Sequence, residues 1–471
     1  MSFEKIFIKK KISGYAETNS IESFVAEPKN IVDCKKIINI AIQDNLNLCC
    51  KGSGLSYGDM ITNQDNIIID LSRMNNITSW DSKNGVIVLE PGVTFSQVLL
   101  ISLKNNWTLS SCPGSMDITI GGAISNNVHG KDSFSFGNFG KQVLEMKILL
   151  ASGEIKTVNN EISNDLFNAV IGGMGLLGII VEIKLQLNQV KSPYLKSKEF
   201  IAENIFQAIN ILNNNVENYD FGVAWIDCFS DKKNNIGRGY VSLAEWGTNN
   251  ISIEEKKLIK SLKKSDKLFG IFPVNIIWPI LKLFFNRKNI KIFNSFLYYY
   301  KFIKLKFFSN RINNILFSNY NFIHNKIPDI KNIHKPNGFL EFQPLIPQKY
   351  INNFVSDLFA LCNKHQTQSI LCGLKLHSKD EYLLSYSANG FSMGIDIELK
   401  NRKKNDISLF ANAFFSLVLK NKGILYLAKD ELLDKNNFQL MYPKYKSFLL
   451  IKKHFDPKNL FSSDLYRRLF L

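Results

Sequence analysis

PGSMDITIGGAISNNVHGK, residues 113–131, is the stretch on which the fold reading turns. It is rich in Gly, Ser and Asn and reads mostly as loop. At Gly121 and Gly122 no Cβ stands between the backbone and a ligand. Thr119, Ser125, Asn126 and Asn127 supply neutral donors and acceptors, and His129 ends the segment. Upstream lies KGSGLSYGD, residues 51–59, where Gly52, Gly54 and Gly58 alternate with Ser53, Leu55, Ser56 and Tyr57. Clustered glycines let several N–H groups turn toward one point and form an anion nest. Alone, this segment reads equally well as a Gly-rich hairpin. Together, two donor-rich loops suit a pyrophosphate and can cover one long, bent cofactor from both sides. A third cluster, GGMGLLG at 172–178, contains a literal GxGxxG at Gly173, Gly175 and Gly178. A dinucleotide-binding Rossmann turn has a strand before it and a helix after it. Here a helix near Asp165–Val170 precedes and a strand Ile179–Leu187 follows, so the Rossmann reading is rejected.

Around these clusters the chain alternates short strands and helices. Apolar spacing predicts a helix from Ile31 to Asn45 and a strand Leu46–Cys50. Thr94 reads as the cap of a helix running to Asn105. Later strands are expected at Phe221–Asp227, Gly239–Leu243, Gly338–Phe342, Ser369–Leu376 and Gly394–Leu399. The pattern is α+β. With 471 residues, 45% of them hydrophobic, the chain can bury two cores.

The motifs KGSGLSYGD, PGSMDITIGGAISNNVHGK, FGNFGKQV and GGMGLLGII resemble the FAD-binding (PCMH-type) domain of the vanillyl-alcohol-oxidase family. HGK followed by SFSFGNFG, then AWID, GRG, YLAKD, MYP and DPKNLFSSDLYRRL, are similar to the decaprenylphosphoryl-ribose 2'-oxidases within it. The likeness covers most of the chain and is weakest over residues 245–335. It implies a two-subdomain FAD domain at 1–192, a substrate domain of antiparallel sheet and helices at 193–423, and a C-terminal segment, 424–471, returning to the FAD domain. Several relatives link flavin to a His where this chain has Leu55, so the FAD is expected to be non-covalent.

By the same resemblance, Gly52, Ser53, Gly54, Leu55, Ser56, Tyr57, Gly58, Gly114, Thr119, Ile120, Gly121, Gly122, Asn126, Asn127, Val128, His129, Ile180 and Tyr426 are expected at the cofactor. Lys429, in YLAKD, matches an active-site lysine, with Tyr57 and His129 beside the flavin. Lys375, in GLKLH, and Gln343, in EFQPLIP, match pocket residues, and Trp225 belongs to AWID. Glu341 stands where relatives have Gln, and Ser392 and Gly394 where many have Asn and Cys, which leaves the sugar open. The implied reaction is oxidation of a sugar hydroxyl with hydride passing to flavin N5, on a polyprenyl-phosphate ribose. A separate NAD(P)H-dependent reductase would complete an epimerisation to the arabinose form, a cell-wall arabinan precursor. An aldonolactone or alditol oxidase is the alternative within the superfamily, and a non-catalytic membrane-binding protein the alternative outside it.

The formal net charge is +17, which favours anionic partners. No zinc-finger spacing, heptad run or RNP-like strand is present, so nucleic acid falls behind membrane or phosphate. No metal site is expected. Cations and aromatics crowd residues 256–311, where Asp266 is the one acid. That segment reads either as a surface for an anionic membrane or as a helical insertion with an aromatic core and solvated lysines. Seven cysteines without a CxxC pair suit a reduced, cytoplasmic setting, with the protein peripheral at the inner face of the membrane. The N-terminus carries no apolar run of signal-peptide length.

Overall fold

The computed structural model describes residues 7–230, 235–249, 253–263, 265–268, 271–308, 312–325 and 327–471. Lys264, Phe269 and Arg311, three members of the basic and aromatic segment, lie outside the described residues. Mixed helices and largely antiparallel sheets make up the fold.

Among the described residues three sheets carry the architecture. The first has the order Ile8–Ile12, Ile21–Ala26, Ile67–Asp70, Leu48–Lys51, and its last three strands run parallel. The helix Ile31–Gln43 buries Cys34, Ile37, Ile38 and Ala41, one stripe at helical spacing. Asn30 caps it by accepting from Asp33 N (3.0 Å). The second sheet is antiparallel, in the order Ile77–Asp81, Val86–Leu89, Ile179–Gln186, Val143–Leu149, Ile155–Asn159. The third has eight strands, and Tyr194–Ala202, Gly239–Trp246, Phe221–Ile226, Cys372–His377, Gly390–Met393 and Pro344–Pro347 follow one another across its middle. The short strand Ile424–Leu425 pairs with Pro344–Pro347 at its edge.

The C-terminal residues then run back to the first sheet. Leu48 N donates to Leu460 O (2.7 Å) and Ser462 N to Leu48 O (2.8 Å). Lys452, 1% exposed, donates to Asp456 Oδ2, Leu176 O and Phe461 O, each at 2.8 Å. Asp456 also accepts from the N–H groups of Leu460 and Phe461. A buried charge is tolerated only when its hydrogen bonds are met in this way.

Segment 113–131 is mostly loop, as expected, with one short helix inside it. Ile120–Ser125 is helical, with Thr119 capping it through Gly122 N. Its glycines signalled loop, yet close packing demands them: a Cβ on Gly121 would stand 2.7 Å from Pro91 Cβ.

Candidate active site

One cavity, with about 1660 Å³ of empty space partly open to solvent, runs between the glycine loops and the third sheet. KGSGLSYGD follows the strand Leu48–Lys51, and residues 52–57 of it line one wall. Gly114, Thr119, Gly121, Gly122, Asn126, Val128 and His129 line the facing wall. The walls touch each other: Ser53 Oγ donates to Asp117 O, and a Cβ on Gly52 would collide with the Thr119 hydroxyl. Gly54 has φ of 71°, a left-handed value that suits glycine. Met174, Gly175, Gly178 and Ile180 close the cavity beneath. The third glycine cluster thus serves the cavity, although helix Asn164–Val170 precedes it and strand Ile179–Gln186 follows it.

Polar side chains gather at the other end. The turn after Ile424–Leu425 is fixed by Tyr426 N donating to Gln343 O (3.0 Å) and Tyr57 N donating to Ala428 O (2.8 Å). This places Lys429 Nζ 4.6 Å from the Tyr57 ring centroid and in an ion pair with Glu341. Glu341 is 8% exposed and faces Asp396 across the strand pair Phe339–Phe342 and Ile395–Glu398. Burial, and then the Glu341 charge, hold the Asp396 carboxyl well above its ordinary range. The same two causes, in that order, raise Tyr57, which keeps its phenolic proton. Lys375 projects from Cys372–His377 into the cavity. Burial and the nearby Lys429 charge push it down to about 8.

Gln343 Nε2 lies 2.8 Å from His129 Nε2. An amide nitrogen donates, so the ring nitrogen accepts and the neutral ring carries its hydrogen on Nδ1. Burial, followed by the charge of Lys375, drives the His129 pKa well down, in agreement. His129 Nδ1 and Asn126 Oδ1 are buried and have no protein partner, although both residues line the cavity. His377, Tyr386 and Tyr426 pack around the His129 ring at 5.0–5.2 Å between centroids.

Seven residues expected at the site lie off the cavity wall. Gly58 is packed under Asp430. Ile120 is fully buried in the core. Asn127 is committed to protein, donating to Asp380 Oδ2 (2.9 Å) and Ser385 Oγ (2.7 Å) and accepting from Gly140 N (2.8 Å). Glu341 stands behind Lys429, and a Cβ on Gly394 would reach 3.1 Å from its Oε1. Ser392 bonds to His377 Nε2 (2.7 Å). Trp225 stacks on Tyr240 (5.6 Å) and is in register with Gly373, two positions from Lys375 along one sheet face. Conversely, Tyr15, Pro91, Met174, Gly175, His324 and Asp329 line the cavity without having been expected there. The glycines at 172–178 were the one available signal for part of that wall. His324 and Asp329 fall where the resemblance was weakest.

Residues 23–159 match the model of the FAD binding domain family. The chain is thus similar to FAD-linked oxidases, and FAD is its cofactor. The residues fit that group: Gly52 and Gly121 stand too close to Thr119 and Pro91 to carry a Cβ, and two orphaned buried polar atoms belong to His129 and Asn126, which line the same cavity. Over 98% of its length the chain is similar, at 26% identity, to the decaprenylphosphoryl-beta-D-ribose oxidase of Mycolicibacterium smegmatis, covering 97% of that protein. It is also 29% identical over 35% of its length to a putative D-arabinono-1,4-lactone oxidase of Neurospora crassa, covering 29% of it. With the L-gulonolactone oxidase of Mus musculus it shares 24% identity over 34% of its length, covering 36% of that enzyme. Among the described residues no cluster could hold a metal ion, and no helix is long and apolar enough to cross a membrane.

Proposed function

We propose that the chain oxidises a sugar hydroxyl to a ketone, and that its substrate is a polyprenylphosphoryl-β-D-ribose oxidised at the 2'-hydroxyl. The observation that carries this reading is the meeting of Lys429, Lys375, Gln343 and His129 at one end of the glycine-walled cavity, with Glu341 paired to Lys429 behind it. The whole-length similarity to an enzyme named for decaprenylphosphoryl ribose supports the substrate class. The lactone oxidases match over about a third of the chain.

FAD, when bound, accepts the hydride from the sugar carbon. The protein must take the hydroxyl proton. The Lys429–Glu341 pair is the group placed to take it, with Asp396 facing Glu341 across the strand pair. Protonated Tyr57 and the His129 Nδ1–H orient cofactor and substrate as donors. Lys375, cationic below about 8, faces the phosphate of the substrate. Leu55 leaves the FAD without a covalent link. The domain division at 192 and 423, a partner NAD(P)H-dependent reductase and a peripheral position at the membrane belong to the same reading. Anaerobic bleaching of flavin absorbance against polyprenyl-phosphate sugars, free sugars and aldonolactones tests it, and bleaching by an aldonolactone alone would transfer the chain to the lactone oxidases.

A further inference from the structure

Two helices, Val274–Phe284 and Arg287–Phe308, are built the wrong way round for water. The second turns a polar face inward. Asn294 donates to Asp227 (3.2 Å), Arg238 donates to Ser295 (2.8 Å) and stacks on Tyr298, and Lys301 pairs with Glu199 (2.6 Å). Its outer face holds Ile292, Phe293, Phe296, Ile303 and Phe307, each 56–73% exposed. The first helix, apolar except for Asn275 and Lys282, is only partly covered. Trp278 is anchored to Pro328 O (2.9 Å), while Leu283 and Phe284 stand 81% and 61% exposed. Contiguous exposed apolar patches beyond a few hundred Å² mark interaction sites. Trp278, Phe285 and Tyr298 pack inward, whereas Phe284, Phe293, Phe296 and Phe307 stay outside that core.

We infer that the outer face of these two helices docks on an anionic lipid bilayer. Charge selects the occupant. No Asp or Glu occurs from 267 to 328, and exposed Lys288, Lys291, Lys304 and Lys306 border the apolar face. Apolar and aromatic side chains flanked by lysines match an interfacial helix, and cations add attraction to acidic headgroups. Position agrees as well. Trp278 holds the first helix against segment 327–334, whose Asp329 lines the cavity, so a docked bilayer lies beside the substrate entrance. The inference rests on the polyprenyl-phosphate reading for its purpose, because a long prenyl chain stays in the bilayer.

Flotation of the full-length flavoprotein with phosphatidylcholine vesicles, with and without phosphatidylglycerol, tests it. The protein floats with the anionic vesicles, less so as salt rises. Replacing Leu283, Phe293, Phe296 and Phe307 together by Ser lowers binding by at least about tenfold, as does replacing Lys288, Lys291, Lys304 and Lys306 by Gln. FAD content stays unchanged in both. As a check independent of those variants, Phe296→Trp adds fluorescence that brominated acyl chains quench. Failure of the wild type to float, equal flotation of the variants, or an unquenched Trp overturns the inference. So does a dimer that the Ser variant splits into monomers, because a second copy then covers the face. The vesicles contain no polyprenyl phosphate, so failure here leaves the substrate reading standing, and failure of substrate oxidation leaves the docking result standing.

Discussion

At the scale of single residues, Lys429 and its partners carry the account. Lys429→Ala should slow flavin reduction by about 10²–10⁴-fold, the range general acid–base groups contribute, while FAD content is retained. Glu341→Gln should slow it less, since the amide keeps a hydrogen bond but accepts no proton. Normal reduction kinetics in Lys429→Ala would remove the residue from the chemistry. Lys375 gives a pH test. Its ammonium is present below about 8 and lost above. Affinity for a phosphate-bearing substrate should therefore fall as pH rises past that value, by up to about tenfold per unit. A neutral sugar should show no such limb, and Lys375→Gln should abolish it. Leu55 predicts that acid or heat releases all the FAD, whereas flavin retained on the denatured chain would contradict this. Lys429 stood out among many lysines only through its YLAKD context. Asp396 was not legible at all, because its role depends on the pairing register with Glu341, which no local pattern encodes.

Elements were easier to read where capping and periodicity agreed. Thr94 does cap Phe95–Ser102, with a full capping box through Gln97. The helix Ile120–Ser125 was hidden because its glycines are demanded by tertiary contact, not by local conformation. The helices 274–308 show the same limit in another form, since composition announced cations and aromatics but not which face each would take. The tail DPKNLF makes a definite stability prediction. Asp456→Ala leaves the Lys452 ammonium buried beside carbonyls alone and unties Leu460 and Phe461. Breaking a buried pair from one side costs about 3–5 kcal/mol, so chemical denaturation should read a loss of that size. Replacing both residues by apolar ones of similar volume should recover part of it. A loss under about 1 kcal/mol would mean the pair is accessible to water.

On the scale of the whole molecule, two glycine-rich loops distant in sequence do meet over one cavity, as their composition required of them. The rest of the site comes from the third sheet, from the separate strand pair Phe339–Phe342 and Ile395–Glu398, and from the returning tail, brought together by topology rather than by proximity in the chain. The excess of positive charge finds a place on the exposed helices and in the pair of cavity lysines. On the proposed reading, this assembly takes a hydride from the ribose of a polyprenyl-phosphate sugar. Anaerobic mixing of the purified FAD protein with polyprenylphosphoryl-β-D-ribose, followed by visible absorbance, tests it most directly. Complete bleaching with one keto-sugar formed per FAD is expected, about 10²–10⁴-fold slower in Lys429→Ala. Unchanged absorbance with this substrate, in protein that retains its FAD, would contradict it.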